Sequence, residues 1–299
     1  MNSVESYLQR LKQEVENDKC PIAPIHVDEA HPAWFMSVEA LGRRAGGYWR
    51  MFKDSQRQRA YANFLAENAE GKVVCDLGCG PGALLYLAEY FGAKKCIGIE
   101  QQFHPVVYLR GRFKHWNIIQ GDFTEVDWPE ADIYIHEMIA NNVYEEGLIS
   151  LCDAAKERGV YDKLYPNTVR LYDITMKEDK DFLTTDGGPI ETYTEAFLDR
   201  MTPILEGKRQ VRQRFFDYKD CLEDISQIYS GDFYGGLQYE FHGDHSEDSY
   251  CGWEVGFNHK HLFSNFREPT HWALTKYWDF HNKWEDSPNP FAMSEENYG

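Results

Sequence analysis

Glu137 and Glu146 stand nine positions apart in the chain. The first ends the apolar run Ile133-Tyr134-Ile135-His136, and the second lies inside Asn141-Asn142-Val143-Tyr144-Glu145-Glu146. A hairpin-like loop with a carboxylate at each end can aim both acids at one centre. Two adjacent carboxylates suit a planar cation with several N–H donors, and guanidinium matches that geometry best. Upstream, Val73-Val74-Cys75-Asp76-Leu77-Gly78-Cys79-Gly80-Pro81-Gly82 reads as a buried strand entering a glycine-rich turn that opens a helix. Glycines there let backbone amides approach a ligand closely, and the helix N-terminus favours a negative group. The next strand, Lys95-Cys96-Ile97-Gly98-Ile99-Glu100, ends in a carboxylate about twenty residues on, the spacing at which an acid binds a ribose diol. The chemistry on offer is a ribose-bearing ligand beside an anionic seat for a cation.

These residues need a rigid frame. From about 71 to 165, strand and helix patterns alternate, the signature of a doubly wound, mostly parallel α/β sheet whose ligands sit at the carboxyl ends of its strands. Val4, Leu8, Leu11 and Val15 fall at helical spacing over 4–17, and a second helix is expected over about 48–68. After Leu164-Tyr165-Pro166-Asn167 the runs Val169–Ile174 and Trp272–Tyr277 read as strands, interrupted by a helical insertion at about 190–204. The expected organisation is therefore a helical segment over 1–68, a sheet domain over 69–166 and a β-rich domain over 167–299.

Composition narrows the partners. With 31 basic and 49 acidic residues among 299, the net charge is −18. Such a surface repels nucleic acid and anionic membranes and attracts cations. Seven cysteines include no Cys-x-x-Cys pair, which reads as reduced, structural cysteine. With neither a membrane-length apolar run nor a signal-like N-terminus, the expectation is a cytoplasmic protein. His242, Asp244, His245, His259 and His261 lie in a polar stretch without the spacing of a zinc module, so no metal site is assigned.

Two cofactors suit the glycine turn. Gly78-x-Gly80-x-x-Ala83 satisfies the dinucleotide fingerprint. Yet Asp76, two residues before the first glycine, and Gly82 at alternate spacing make a string that resembles motif I of the class I S-adenosylmethionine methyltransferases. Ile118-Ile119-Gln120-Gly121-Asp122 continues that order, with Asp122 at the adenine edge.

The resemblance then becomes more specific. Glu137 and Glu146 look like the double-E loop of the protein arginine methyltransferases. Met51-Phe52-Lys53-Asp54-Ser55-Gln56-Arg57 is similar to that family's Met-x-Lys-Asp-x-x-Arg helix, and Thr270-His271-Trp272 to its Thr-His-Trp loop. Tyr165-Pro166-Asn167 falls where the family joins its two domains. The resemblance implies a Rossmann-like sheet followed by a β-rich partial barrel, and S-adenosylmethionine as cofactor. It implies Arg57 on the cofactor carboxylate, Glu100 on the ribose, Asp122 on the adenine, and Met51, Asp54, His271 and Trp272 around the reaction site. Tyr48 stands where many members place a histidine near the ribose.

The implied reaction is methyl transfer to a guanidino nitrogen. Glu137 and Glu146 would draw the cation's charge toward the nitrogens they touch, and His271, with Asp54 as orienter, would accept the proton. Met138 replaces a common aromatic, and only about thirty residues follow Trp272, so the second domain is expected to be shortened. The acceptor is then arginine in protein, peptide or free form, or a small guanidino compound, with a homodimer possible. The alternatives are a methyltransferase for another nucleophile and a non-catalytic partner protein.

Overall fold

The computed structural model describes residues 3–9, 54–144, 146–177, 218, 222–242, 249–268, 270, 272 and 274–276. Short runs of β-branched and apolar residues alternate with helix-length segments and build the first layer. Its strands are β1 (Val73–Leu77), β2 (Lys95–Glu100), β3 (Asn117–Gln120), β4 (Ile133–His136) and β5 (Leu164–Tyr165). All pair in parallel, in the order β3-β2-β1-β4-β5. β1 and β4 are buried almost throughout, as strands covered on both faces must be. The direction of strand addition reverses between β1 and β4, so the ligand crevice opens there, beyond Leu77 and His136.

Helices α1 (Ser55–Asn68), α2 (Ala83–Tyr90), α3 (Phe103–Arg112) and α4 (Leu148–Glu157) belong to this half. α1 is apolar or buried on nearly every side, with Arg57, Ala60, Tyr61, Ala62, Phe64 and Leu65 all within the core. That burial marks a helix wedged between two layers rather than one lying on a surface. Phe64 stacks on Tyr165 with ring centroids 3.8 Å apart, and Tyr61 packs against Phe263 at 5.5 Å.

The second layer is antiparallel. β6 (Thr168–Met176) is central, flanked by β7 (Leu222–Asp232) and β8 (Tyr250–Phe257), while β9 (Lys260–Ser264) and β10 (Thr275–Lys276) both pair with β8. The expected change from a parallel to a β-rich half is thus seen, beginning just after the Tyr165–Pro166 peptide, which is cis.

Three elements differ from the sequence-based expectation. The second helix starts at Ser55, where Asp54 caps it, whereas the N-terminal helix is seen over 4–9 and the rest of its expected span lies outside the described residues. Among the described residues, the strand expected over 272–277 contributes only β10, and Trp272 instead packs against Trp253 and Phe263 with its Nε1 donating to Ile139 O. A helix at Phe233–His242 (α5) was not foreseen, since Gly235 and Gly236 argue against helix on propensity. Packing explains them. A Cβ on Gly236 would stand 2.5 Å from Tyr144 Oη, and one on Gly235 would stand 2.2 Å from Tyr229 Oη. The insertion at about 190–204 lies outside the described residues.

Candidate active site

The glycine turn between β1 and α2 forms one wall of the crevice. Gly78 and Gly82 have left-handed φ angles of 76° and 86°, a conformation that costs any residue with a Cβ about 1–2 kcal/mol. A Cβ would also crowd its neighbours: at Gly82 it would lie 2.7 Å from Leu109 Cδ2, and at Gly78 3.1 Å from Met138 Sδ. Glu100 ties the turn from the next strand. Its carboxylate accepts from Gly80 N at 2.7 Å and from Gln102 N at 2.7 Å. Asp76 lies on the floor, 1 % exposed, and its Oδ1 has no hydrogen-bond partner. Burial and the neighbouring Glu100 charge raise its pKa. An orphaned buried acceptor beside an acid-braced glycine turn suits a ligand that brings its own donors, such as an ammonium or a ribose hydroxyl. Asp122 sits at the outer end of β3 and accepts from Thr124 N and Thr124 Oγ1, both at 2.7 Å, through one carboxylate oxygen.

Across the crevice, β4 delivers Glu137. Its side chain is 10 % exposed, and Arg57 Nη1 lies 3.0 Å from its Oε1. The pair is close enough for charge attraction but not aligned as a hydrogen bond. Burial pushes the Glu137 pKa up to about 8, against the pull of Arg57 and with the repulsion of Glu146, Asp54 and Asp76. Glu146 is exposed and near enough for its charge to act on Glu137, so the two acids do share a neighbourhood. The Arg57 guanidinium carbon lies over Trp272, 3.7 Å from the ring centroid. An acid edge and an aromatic face therefore hold one guanidinium between them.

Asp54 is fully buried. It caps α1 through Arg57 N at 3.4 Å and accepts from Thr270 Oγ1 at 2.6 Å. The capping role keeps Arg57 in the first helical turn, and the threonine bond brings the segment at 270 to the crevice. Trp272 is 2 % exposed, donates from Nε1 to Ile139 O at 3.0 Å, and packs against Trp253 and Phe263. It reaches the site through Arg57 and a loop carbonyl. Tyr48, Met51 and His271 lie outside the described residues.

Other residues of the site were not singled out from sequence. Trp253 Nε1 donates to Asn141 O at 2.9 Å, and Asn265 Nδ2 reaches the same carbonyl at 3.5 Å. Tyr144 Oη donates to Phe233 O at 2.9 Å. Gln56 pairs with the end of β9 like a short strand, donating to Ser264 O at 2.7 Å and accepting from Ser264 N at 3.2 Å. The second layer thus grips the loop that carries both glutamates. Only Tyr61, which follows Arg57 by one helical turn, had a signal in the sequence: the spacing puts both on one face. Of the histidines in the polar stretch, His261 pairs with Glu67 at 3.1 Å and His259 Nδ1 lies 3.5 Å from Ser230 Oγ.

Comparison with known proteins adds an independent line. Protein arginine N-methyltransferase 1 of Dictyostelium discoideum is 31 % identical over 149 residues, 46 % of this chain and 43 % of that protein. Over that stretch the chain is similar to protein arginine methyltransferases. The protein of the same name from Chlamydomonas reinhardtii is 32 % identical over 123 residues, 38 % of this chain and 36 % of that one. The chain thus spans less than half the length of these curated relatives. No family model matches it. In fold, it resembles the crystal structure of Arabidopsis thaliana protein arginine methyltransferase 10, with a TM-score of 0.52, 16 % identity, and coverage of 81 % of this chain and 84 % of that one.

Proposed function

We propose that this arginine methyltransferase relative is an S-adenosylmethionine-dependent N-methyltransferase acting on a guanidino nitrogen of arginine, in a protein, a peptide or a small compound. The observation that carries this reading is the guanidinium seat itself: Glu137, nearly buried, holds the Arg57 guanidinium at 3.0 Å beside the glycine turn. When bound, the cofactor supplies an electrophilic methyl group. Gly78, Gly80 and Gly82 would line its path, Glu100 would receive its ribose, Asp122 would meet its adenine and Arg57 its carboxylate.

Arg57 would hold the cofactor carboxylate, and in doing so would leave the Glu137 acid edge free for the acceptor's guanidinium. Free guanidinium is a poor nucleophile because its lone pairs are delocalised and its pKa exceeds about 12. Glu137 and Glu146 would bind two of its nitrogens, hold positive charge there, and leave the third to attack from a fixed position. Holding reacting atoms about 3–3.5 Å apart supplies much of the acceleration in such a displacement. His271 would take the released proton, and Asp54 would steady that segment through Thr270. The net charge of −18 supports a cationic acceptor. Retention of a costly buried acid at Glu137 weighs against a silent partner protein.

The deciding experiment incubates the protein with methyl-labelled S-adenosylmethionine and a panel of free arginine, guanidino compounds, arginine-rich peptides and protein extract. Labelled methyl groups on guanidine nitrogens, read by mass spectrometry, are the expected result. Cofactor binding without any methylated guanidine overturns the reading.

A further inference from the structure

His136 is the last residue of β4 and directly precedes Glu137. It is fully buried, and every polar group of it beyond the strand is used. Tyr61 Oη donates to His136 O at 2.5 Å. The ring Nε2 lies 2.9 Å from Pro166 O, a carbonyl that can only accept, so Nε2 carries the proton. Nδ1 then accepts the backbone N–H of Met138 at 3.2 Å. One neutral tautomer satisfies both bonds, and protonation would set two donors against each other at Nδ1. Burial agrees, lowering the pKa to about 4 despite the Pro166 bond.

Glu137 sits between these anchors. The peptide unit before it is held by Tyr61 from α1, and the one after it by the imidazole of its own neighbour. Met138 in turn lies against the glycine turn, 3.1 Å from where a Gly78 Cβ would stand. We propose that His136 is a positioning residue: its Nδ1 bond to the Met138 amide sets the direction in which Glu137 presents its carboxylate, while its Nε2 bond to Pro166 ties that direction to the joint between the two layers. The inference rests on the reading of Glu137 as the guanidinium ligand.

Two variants separate the bonds. In His136→Asn the side-chain oxygen takes the place of Nδ1 and keeps the Met138 bond while losing Pro166. In His136→Gln the side-chain nitrogen takes the place of Nε2 and keeps Pro166 while losing Met138. The expected outcome is kcat within about threefold of wild type for Asn and at least about tenfold lower for Gln, at unchanged cofactor affinity. The Glu137 carboxyl, followed by carbon-13 NMR, should titrate as in wild type in Asn and shift by about one unit or more in Gln. Equal behaviour of the two variants in the NMR titration overturns the proposal. The nitrogen-15 shifts of the wild-type ring add a check that needs no variant to fold: a proton on Nδ1 at neutral pH overturns it too. If wild type methylates no guanidine, the proposed function fails, while the ring shifts and the Glu137 titration still decide the role of His136.

Discussion

Glu137 carries its proton through neutral pH in the free protein, because burial outweighs the attraction of Arg57. That has a consequence for binding. With a pKa of about 8, roughly nine in ten molecules are protonated at this position at pH 7. Seating a guanidinium cation favours the carboxylate, so close to one proton must leave for each cation bound. Affinity for a guanidino ligand should therefore rise with pH, by up to about tenfold per unit between pH 6 and 8. Calorimetry in two buffers of different ionisation heat, with cofactor present, measures the released proton directly; no release means that Glu137 is not the ligand. Glu137→Gln should show no release. It should also lower methyl transfer by about 10²–10³-fold, the cost of removing a charge-stabilising contact, with cofactor affinity within about threefold of wild type.

At the scale of elements, the loop between β4 and α4 is held by parts distant in the chain. Trp253, Asn265 and Trp272 hold its carbonyls, and Tyr144 anchors it to the start of α5. Gly236 makes that last anchor possible. On propensity alone, Gly236→Ala in α5 would stabilise the helix by about 0.5–1 kcal/mol. The new Cβ would instead press within 2.5 Å of Tyr144 Oη and 3.0 Å of Val169 Cγ1. We expect a net loss of about 1–3 kcal/mol in thermal or urea unfolding, the usual cost of overpacking, and reduced transfer with normal cofactor binding. Gly82→Ala makes the opposite pattern. Its strain falls on the glycine turn, so cofactor affinity should drop first, which equilibrium dialysis reads without any acceptor.

For the molecule as a whole, the buried acids set how stability depends on pH. Glu137 has a folded pKa near 8 against an ordinary value of 4.5. A raised pKa gives a contribution fully present below the ordinary value and lost as pH climbs through the folded one. Between pH 6 and 8 this group alone should remove ~2 kcal/mol of unfolding free energy from the ligand-free protein. His136 has the reverse sign: its lowered pKa makes stability fall as pH drops from about 6.5 toward 4. Urea melts at pH 6 and 8 test the first effect, with Glu137→Gln as the comparison. A wild-type slope no steeper than the Gln variant's would show that Glu137 ionises freely in the fold.

The alternation of strands and helices in the parallel half and the glycine turn at 78–82 were legible because they depend on local pattern. An apolar run, a glycine where φ must be positive and a carboxylate at a strand end leave marks in a short window of residues. The clamp on the glutamate loop leaves no such mark. Asn265 reads as an ordinary loop amide, Gln56 as a solvated helix residue and Gly236 as a helix breaker until the second layer folds back over α1. His136 is one apolar run's last polar residue until Pro166 and Met138 close on its ring. Residue type and spacing determined which chemistry the chain holds. Only the packing of two distant layers decided which groups lose water, which carboxyl keeps its proton and which carbonyls fix its direction, because desolvation and hydrogen-bond partnership belong to the assembled fold.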